Sequence, residues 1–119
     1  MKQALIIDLV AFNVNVQLAH WRASTITNEH RTLGDLYDAT SELTDTLAEL
    51  MFGKAGKVDL PPRKIDALSK VAPAELLKTG LQTVASLRAE FKAGVDDDAL
   101  NVLADLSAAI NRAKYLLAV

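Results

Sequence analysis

With 119 residues, half of them apolar, the chain has the length of one domain and enough hydrocarbon for a single core. A net charge of −2 excludes a molecule that attracts nucleic acid through its overall charge, and the lack of cysteine excludes disulfides and thiolate metal sites. No charged-then-apolar leader is seen and no apolar run reads as long enough to span a bilayer, so the default expectation is a cytoplasmic protein without a membrane partner.

Residues Lys2 to Trp21 carry two patterns. Leu5, Leu9, Phe12, Val16 and Ala19 recur at helical spacing, while Val10, Phe12, Val14, Val16 and Leu18 alternate like a strand. A strand of nearly twenty residues would be unusual, so length selects the helix. Ile6, Ile7 and Val10 widen its apolar face beyond what one partner needs, which predicts burial on two sides, in the bundle and at a subunit interface. Asp8, Asn13, Asn15 and Gln17 are then expected to line the remaining wet strip. His20 and Trp21 close this helix. His20 alone reads as a C-terminal cap and Trp21 as a packing anchor.

The second helix is the richest element. Ser24, Thr25, Thr27 and Asn28 offer N-caps. From His30 onward Leu33, Leu36, Tyr37, Thr40, Leu43, Thr44, Leu47, Leu50 and Met51 share one face, and Asp35, Asp38, Glu42, Asp45 and Glu49 nearly the opposite one. An acidic stripe of this kind is ordinarily a solvated surface. Here no Lys or Arg alternates with the acids to make pairs at three or four residues. Gly34 inside the helix costs up to about 1 kcal/mol relative to Ala. It reads either as local weakness or as a point of close approach by another helix or by His20.

Gly53 and Gly56 are expected to end this helix. GKAGKVDLPPRK follows as a loop, broken by Pro61 and Pro62 and made basic by Lys54, Lys57, Arg63 and Lys64, a solvated surface on its own account. Ile65–Ser69 is expected as a short helix. Pro73 and Glu75 suit the first turn of a third helix with a core stripe of Leu77, Gly80, Leu81, Val84, Leu87 and Phe91, and Gly94 is its expected cap. Asp96, Asp97 and Asp98 lack the spacing of a calcium loop and read as cap and dipole partners for a last helix. Ala99, Leu103, Leu106, Ile110, Ala113 and Leu117 form its stripe. The pattern is all-α, a single four-helix bundle spanning residues 1–119.

Fifteen residues separate His30 from Asp45, roughly 22 Å along a helix, so the two cannot share an ion within one chain. Two antiparallel copies related by a two-fold axis near Tyr37 and Asp38 would bring His30 of one level with Asp45 of the other, with Glu49 one turn beyond. If the link from Arg22 to Asn28 folds His20 back beside His30, two imidazoles meet two carboxylates of a partner. Such a mixed set suits iron, manganese or zinc.

AHW, a second His, and then D-x-x-x-E within DTLAE resemble the ferroxidase segment of the Dps proteins, miniature ferritins. The C-terminal FKAGVDDDALNVLADLSAAINRAKYLLA is similar to the last helix of that family. The resemblance covers most of Leu18–Phe52 and Phe91–Ala118. It implies a ferritin-like bundle with a long crossover between the second and third helices, for which 53–72 is long enough. It also implies an intersubunit iron site of His20, His30, Asp45 and Glu49, in a two-fold dimer or a larger cage, with hydrogen peroxide or dioxygen as oxidant. Trp21, next to the first His, would take up oxidising equivalents. Gly34 stands where the family often has an acid, with Asp35 beside it. Asp38 and Glu42 are further candidates for a second ion. DNA-binding members often use Lys-rich tails, and only Met1-Lys2-Gln3 precede the first helix here, so DNA binding is not expected. The alternative is a ferritin-like module that has kept the helices for a structural or interaction role and lost catalysis.

Overall fold

The computed structural model describes residues 2–62 and 71–119, and among them every regular element is a helix. These are α1 (Lys2–Arg22), α2 (Asn28–Ala55), α3 (Pro73–Arg88) and α4 (Asp97–Leu117). Both ends of α2 and the start of α3 have a local cause. Thr27 is the N-cap of α2, its hydroxyl accepting from the His30 N–H at 3.1 Å. Gly56 ends α2 at φ 72°, its N–H returning to Phe52 O. Gly53 therefore lies inside the helix and does not end it. Pro73 starts α3, where its missing N–H costs nothing. That helix stops at Arg88, so Gly94 is not its cap. Gly94 instead turns the following loop at φ 83° and donates its N–H to Asp97.

The helices form a square. α1 packs on α2 and α3, α4 packs on the same two, and α1–α4 and α2–α3 stand diagonally. Leu9, Val16, Leu33, Leu47, Leu77, Leu87, Leu103, Leu106 and Ile110 are sealed in the middle. Each such side chain contributes about 1.5–3 kcal/mol of burial. The four-helix bundle expected from periodicity is the fold.

Asn28, at the start of α2, donates to Leu116 O at the end of α4. Lys54, near the end of α2, meets Asp98 at 2.5 Å and Asp96 at 3.5 Å at the start of α4. The first turns of α3 share a groove with Lys114 and Val119, so α3 begins at the end of the bundle opposite to where α2 stops. The connection between them includes residues 63–70, which lie outside the described residues. The course of the expected crossover, the short helix expected at Ile65–Ser69 and the cations Arg63 and Lys64 fall there.

Two expectations for α1 are corrected. Asn13 and Asn15 are not on a wet strip but are 6% and 5% exposed. Asn13 faces α2, where its amide donates to Thr44 Oγ1 at 2.9 Å, and its Oδ1 is buried without a hydrogen-bond partner. The apolar run was also underestimated. Gln3–Arg22 has 20 residues at mean hydropathy 1.3, enough by length and composition to cross a membrane, a test that the core helix of a soluble bundle also passes. Opposite its buried side, α1 presents Ile7, Val10, Val14 and Leu18 outward, with Val10 and Val14 each 37% exposed. α1 is therefore apolar on two sides, and the second side is open in the single chain.

Against α3, α1 inserts the Phe12 ring into a notch at Gly80. A Cβ built there would lie 2.5 Å from Phe12 Cζ, closer than real atoms approach.

Candidate metal centre

The link between α1 and α2 is tight: Thr27 N–H and Thr27 Oγ1 both donate to Ser24 O, at 3.0 and 2.6 Å. It folds the chain back so that His20 and His30 stack, with ring centroids 3.9 Å apart and planes 29° from parallel. The hydrogen bonds are reciprocal. His20 Nδ1 lies 2.6 Å from His30 O, and His30 Nδ1 lies 2.8 Å from His20 O. A carbonyl oxygen only accepts, so each Nδ1 carries the hydrogen. In the neutral ring each Nε2 is left with its lone pair. His30 thus satisfies a carbonyl in the last turn of α1 that has no partner within its own helix. His20 caps nothing in its own helix, contrary to its role when read alone. It reaches across to α2.

Gly34 explains how it reaches. The helix carries residue 34 one turn above His30 O, over the path the His20 ring takes. A Cβ at Gly34 would lie 2.7 Å from His20 Cε1 and 3.0 Å from its Nδ1. Of the two readings of this glycine, the close approach by His20 is the one seen.

His20 lines an open groove of about 350 Å³ with Gln17, Trp21, Arg31, Gly34, Asp35, Tyr37 and Asp38. Trp21 is 65% exposed, so it is not a packing anchor. Its indole stands at the groove beside the imidazole. Asp35 and Asp38 share this groove, whereas Glu42, Asp45 and Glu49 run on along the exposed face of α2. α2 is unbroken from Asn28 to Ala55, so the roughly 22 Å rise from His30 to Asp45 holds. Among the described residues of one chain, no three His, Cys, Asp or Glu side chains converge to hold a metal ion. The two histidines come together and the carboxylates Asp45 and Glu49 do not join them.

Gln17, Arg31 and Tyr37 also line the groove, though the sequence reading gave none of them a part in the site. Gln17 stands three residues before His20 on one turn of α1, and Arg31 directly follows His30. For Gln17 and Arg31 these positions are the signal that the sequence offers.

The chain was compared with protein-family models, with curated proteins and with solved structures, and none matches it.

Proposed function

We propose that this chain is an iron-binding, ferroxidase-type protein whose site is completed by a second copy of itself, in keeping with the Dps-like resemblance of its histidine and carboxylate segments. The observation that carries the reading is the reciprocal bonding of His20 and His30. Imidazoles that bind metal ordinarily donate their other ring N–H to a carbonyl or carboxylate, which fixes tautomer and orientation. Both rings here do so, in one stacked pair, with both Nε2 lone pairs uncommitted. Two nitrogens alone are a weak site for Fe(II). Asp45 and Glu49 of a two-fold partner would add oxygen ligands and negative charge that favours Fe(III), at a mononuclear or dinuclear centre. Asp35, Asp38 and Glu42 extend the acidic track along which a second ion would bind. Zinc or manganese suits the same donors.

Iron is the substrate. Two Fe(II) ions each give up one electron, and one hydrogen peroxide takes both electrons and two protons to leave as two waters. Dioxygen would serve as an alternative oxidant. Trp21, exposed beside His20, is placed to give an electron to an oxidising species before it escapes. Iron storage or protection from peroxide in a cytoplasm is the setting this chemistry fits. The outward apolar stripe of α1 supports association of copies, and equally supports a second reading, a non-catalytic ferritin-like interaction module.

Complementation separates the two. One variant carries His20→Ala and His30→Ala, the other Asp45→Ala and Glu49→Ala. Each alone should fail to oxidise Fe(II). Unfolded, mixed and refolded together, about half of the dimers should be hybrids, each with one intact site, so about a quarter of sites should recover. If both variants fold and dimerise and no oxidation returns, the intersubunit site is wrong. A native mass with and without Fe(II) distinguishes a dimer from a cage.

A further inference from the structure

A second cleft opens along the seam of α2 with α4, and Asp35 lines both it and the histidine groove. The cleft holds about 270 Å³ and is lined by Thr32, Asp35, Leu36, Ala39, Ala109, Arg112, Ala113 and Leu116. Its walls are built of methyl groups: Ala39 from α2 faces Ala109 and Ala113 from α4, where longer side chains would have filled the seam. Leu36 and Leu116 add the larger apolar surfaces. Two charges complete the lining, Asp35 from one helix and Arg112 from the other. Among the described residues neither side chain makes an ion pair or a hydrogen bond, so the two do not neutralise each other across the cleft. The Thr32 hydroxyl is already committed, donating to Asn28 Oδ1 at 3.2 Å.

From this arrangement we infer that the α2–α4 cleft binds a free apolar α-amino acid, its carboxylate on Arg112, its ammonium on Asp35 and its side chain among the alanines. A guanidinium presents a fork that matches a carboxylate with two parallel hydrogen bonds. A carboxylate beside it would repel a simple anion and a lone guanidinium would repel a simple amine, so the pair together favours a ligand carrying both charges. The size is near the lower bound of small-molecule pockets, roughly 300 Å³, which restricts the ligand to one small body. This site needs no metal and no second copy; it shares Asp35 with the histidine groove, so it is tested without metal.

The test is an amide NMR titration of the intact chain in metal-free buffer with L-phenylalanine, and with phenethylamine and 3-phenylpropionate, which lack the carboxylate and the ammonium respectively. L-phenylalanine should shift amides in 32–39 and 109–116 saturably at millimolar concentration. Either analogue, and Arg112→Gln with the amino acid, should bind at least about tenfold more weakly, a loss of about 1.4 kcal/mol. Ala109→Leu should fill the cleft and abolish the shifts. No shift in wild type, equal shifts from all three compounds, or shifts retained in a folded Ala109→Leu chain would each overturn the assignment. So would an unresponsive wild type whose native mass falls on Ala109→Leu, since a second copy would then fill the cleft. If Ala109→Leu does not fold, the analogue series and Arg112→Gln still decide.

Discussion

α1 uses the same device twice, pushing a ring into a notch left by a glycine on a neighbouring helix. Toward α3 the ring is Phe12 and the notch Gly80. Toward α2 the ring is His20 and the notch Gly34. The surroundings differ. Phe12 is 2% exposed and belongs to the core cluster, so its notch serves packing. His20 is half-buried, binds a main-chain carbonyl through one nitrogen and opens on a groove with the other ring edge unclaimed by any hydrogen bond. Close packing therefore does not by itself mark a site. Close packing that fixes the tautomer of a titratable ring at the edge of solvent is what marks the second notch.

The largest effect that would sharpen this contrast is Phe12→Ala. Truncating a sealed aromatic ring in a notch that cannot collapse should lower stability by about 3–5 kcal/mol, read as a fall in the urea midpoint at constant slope. Fe(II)- or Zn(II)-induced thermal stabilisation should persist under conditions where the variant is folded.

Next comes the pair Gly80→Ala and Gly34→Ala. Each gains about 0.5–1 kcal/mol of helix propensity. At Gly80 the methyl group meets the immobile Phe12 ring, and overpacking of about 1–3 kcal/mol should prevail. At Gly34 the methyl group displaces His20 at the edge of solvent. The lost hydrogen bond, about 0.5–1.5 kcal/mol, nearly cancels the propensity gain. Gly34→Ala should therefore melt close to wild type and lose most of the melting-temperature rise that Zn(II) gives. Equal destabilisation at both positions with the zinc response untouched would reduce the second notch to packing.

The smallest effect lies at the far end of the bundle, where an exposed ion pair gives a control without rings. The Asp98 carboxyl is held below its ordinary 3.8, first by the hydrogen bond from Lys54 and then by the Ala99 N–H. Lys54 is held above its ordinary 10.5, chiefly by the same bond. A depressed carboxyl stabilises above its unfolded pKa and loses that contribution as pH falls through the lower folded value. A raised amine keeps its contribution until pH passes above 10.5. Lys54→Met should thus melt slightly below wild type between about pH 4 and pH 10, and the difference should vanish in more acid solution. A difference that persists at pH 2 would mean that the Lys54 stem, not its charge, holds the end together.

Much of the fold was legible because the core-facing positions of α2 and α4 repeat with little ambiguity. Leu33, Leu36, Leu47 and Met51, and Leu103, Leu106 and Ile110, are all buried as their spacing predicts. Asn13 and Asn15 were misplaced because polarity was taken for exposure. A buried amide is admissible wherever a hydroxyl faces it, and Thr44 was not identifiable as that partner before the α1–α2 register was set. Gly94 was misassigned because a left-handed glycine marks a turn without saying whether a helix ends there. Of the candidate site, the meeting of His20 and His30 followed from the short link, which constrains the chain tightly. The groove around them did not, because Gln17, Arg31 and Tyr37 gather there only through the packing of two helices. The cleft of Asp35 and Arg112 was invisible for the same reason, its two charges standing far apart in the chain.

The two-sided apolarity of α1 leaves a rotational ambiguity. Turned half a revolution about its axis, the helix would offer Ile7, Val10, Val14 and Leu18 to the core in place of Leu9, Phe12 and Val16, with a similar amount of hydrocarbon. Burial alone distinguishes poorly between these settings. The choice falls to groups that fit only one of them: Asn13 on Thr44, Phe12 against Gly80 and His20 on His30 O. The buried Oδ1 that Asn13 leaves unsatisfied is then the cost of an orientation lock. Asn13→Leu should raise the melting temperature while blurring the amide spectrum of α1, because a tighter core would hold more than one angular setting of the same helix.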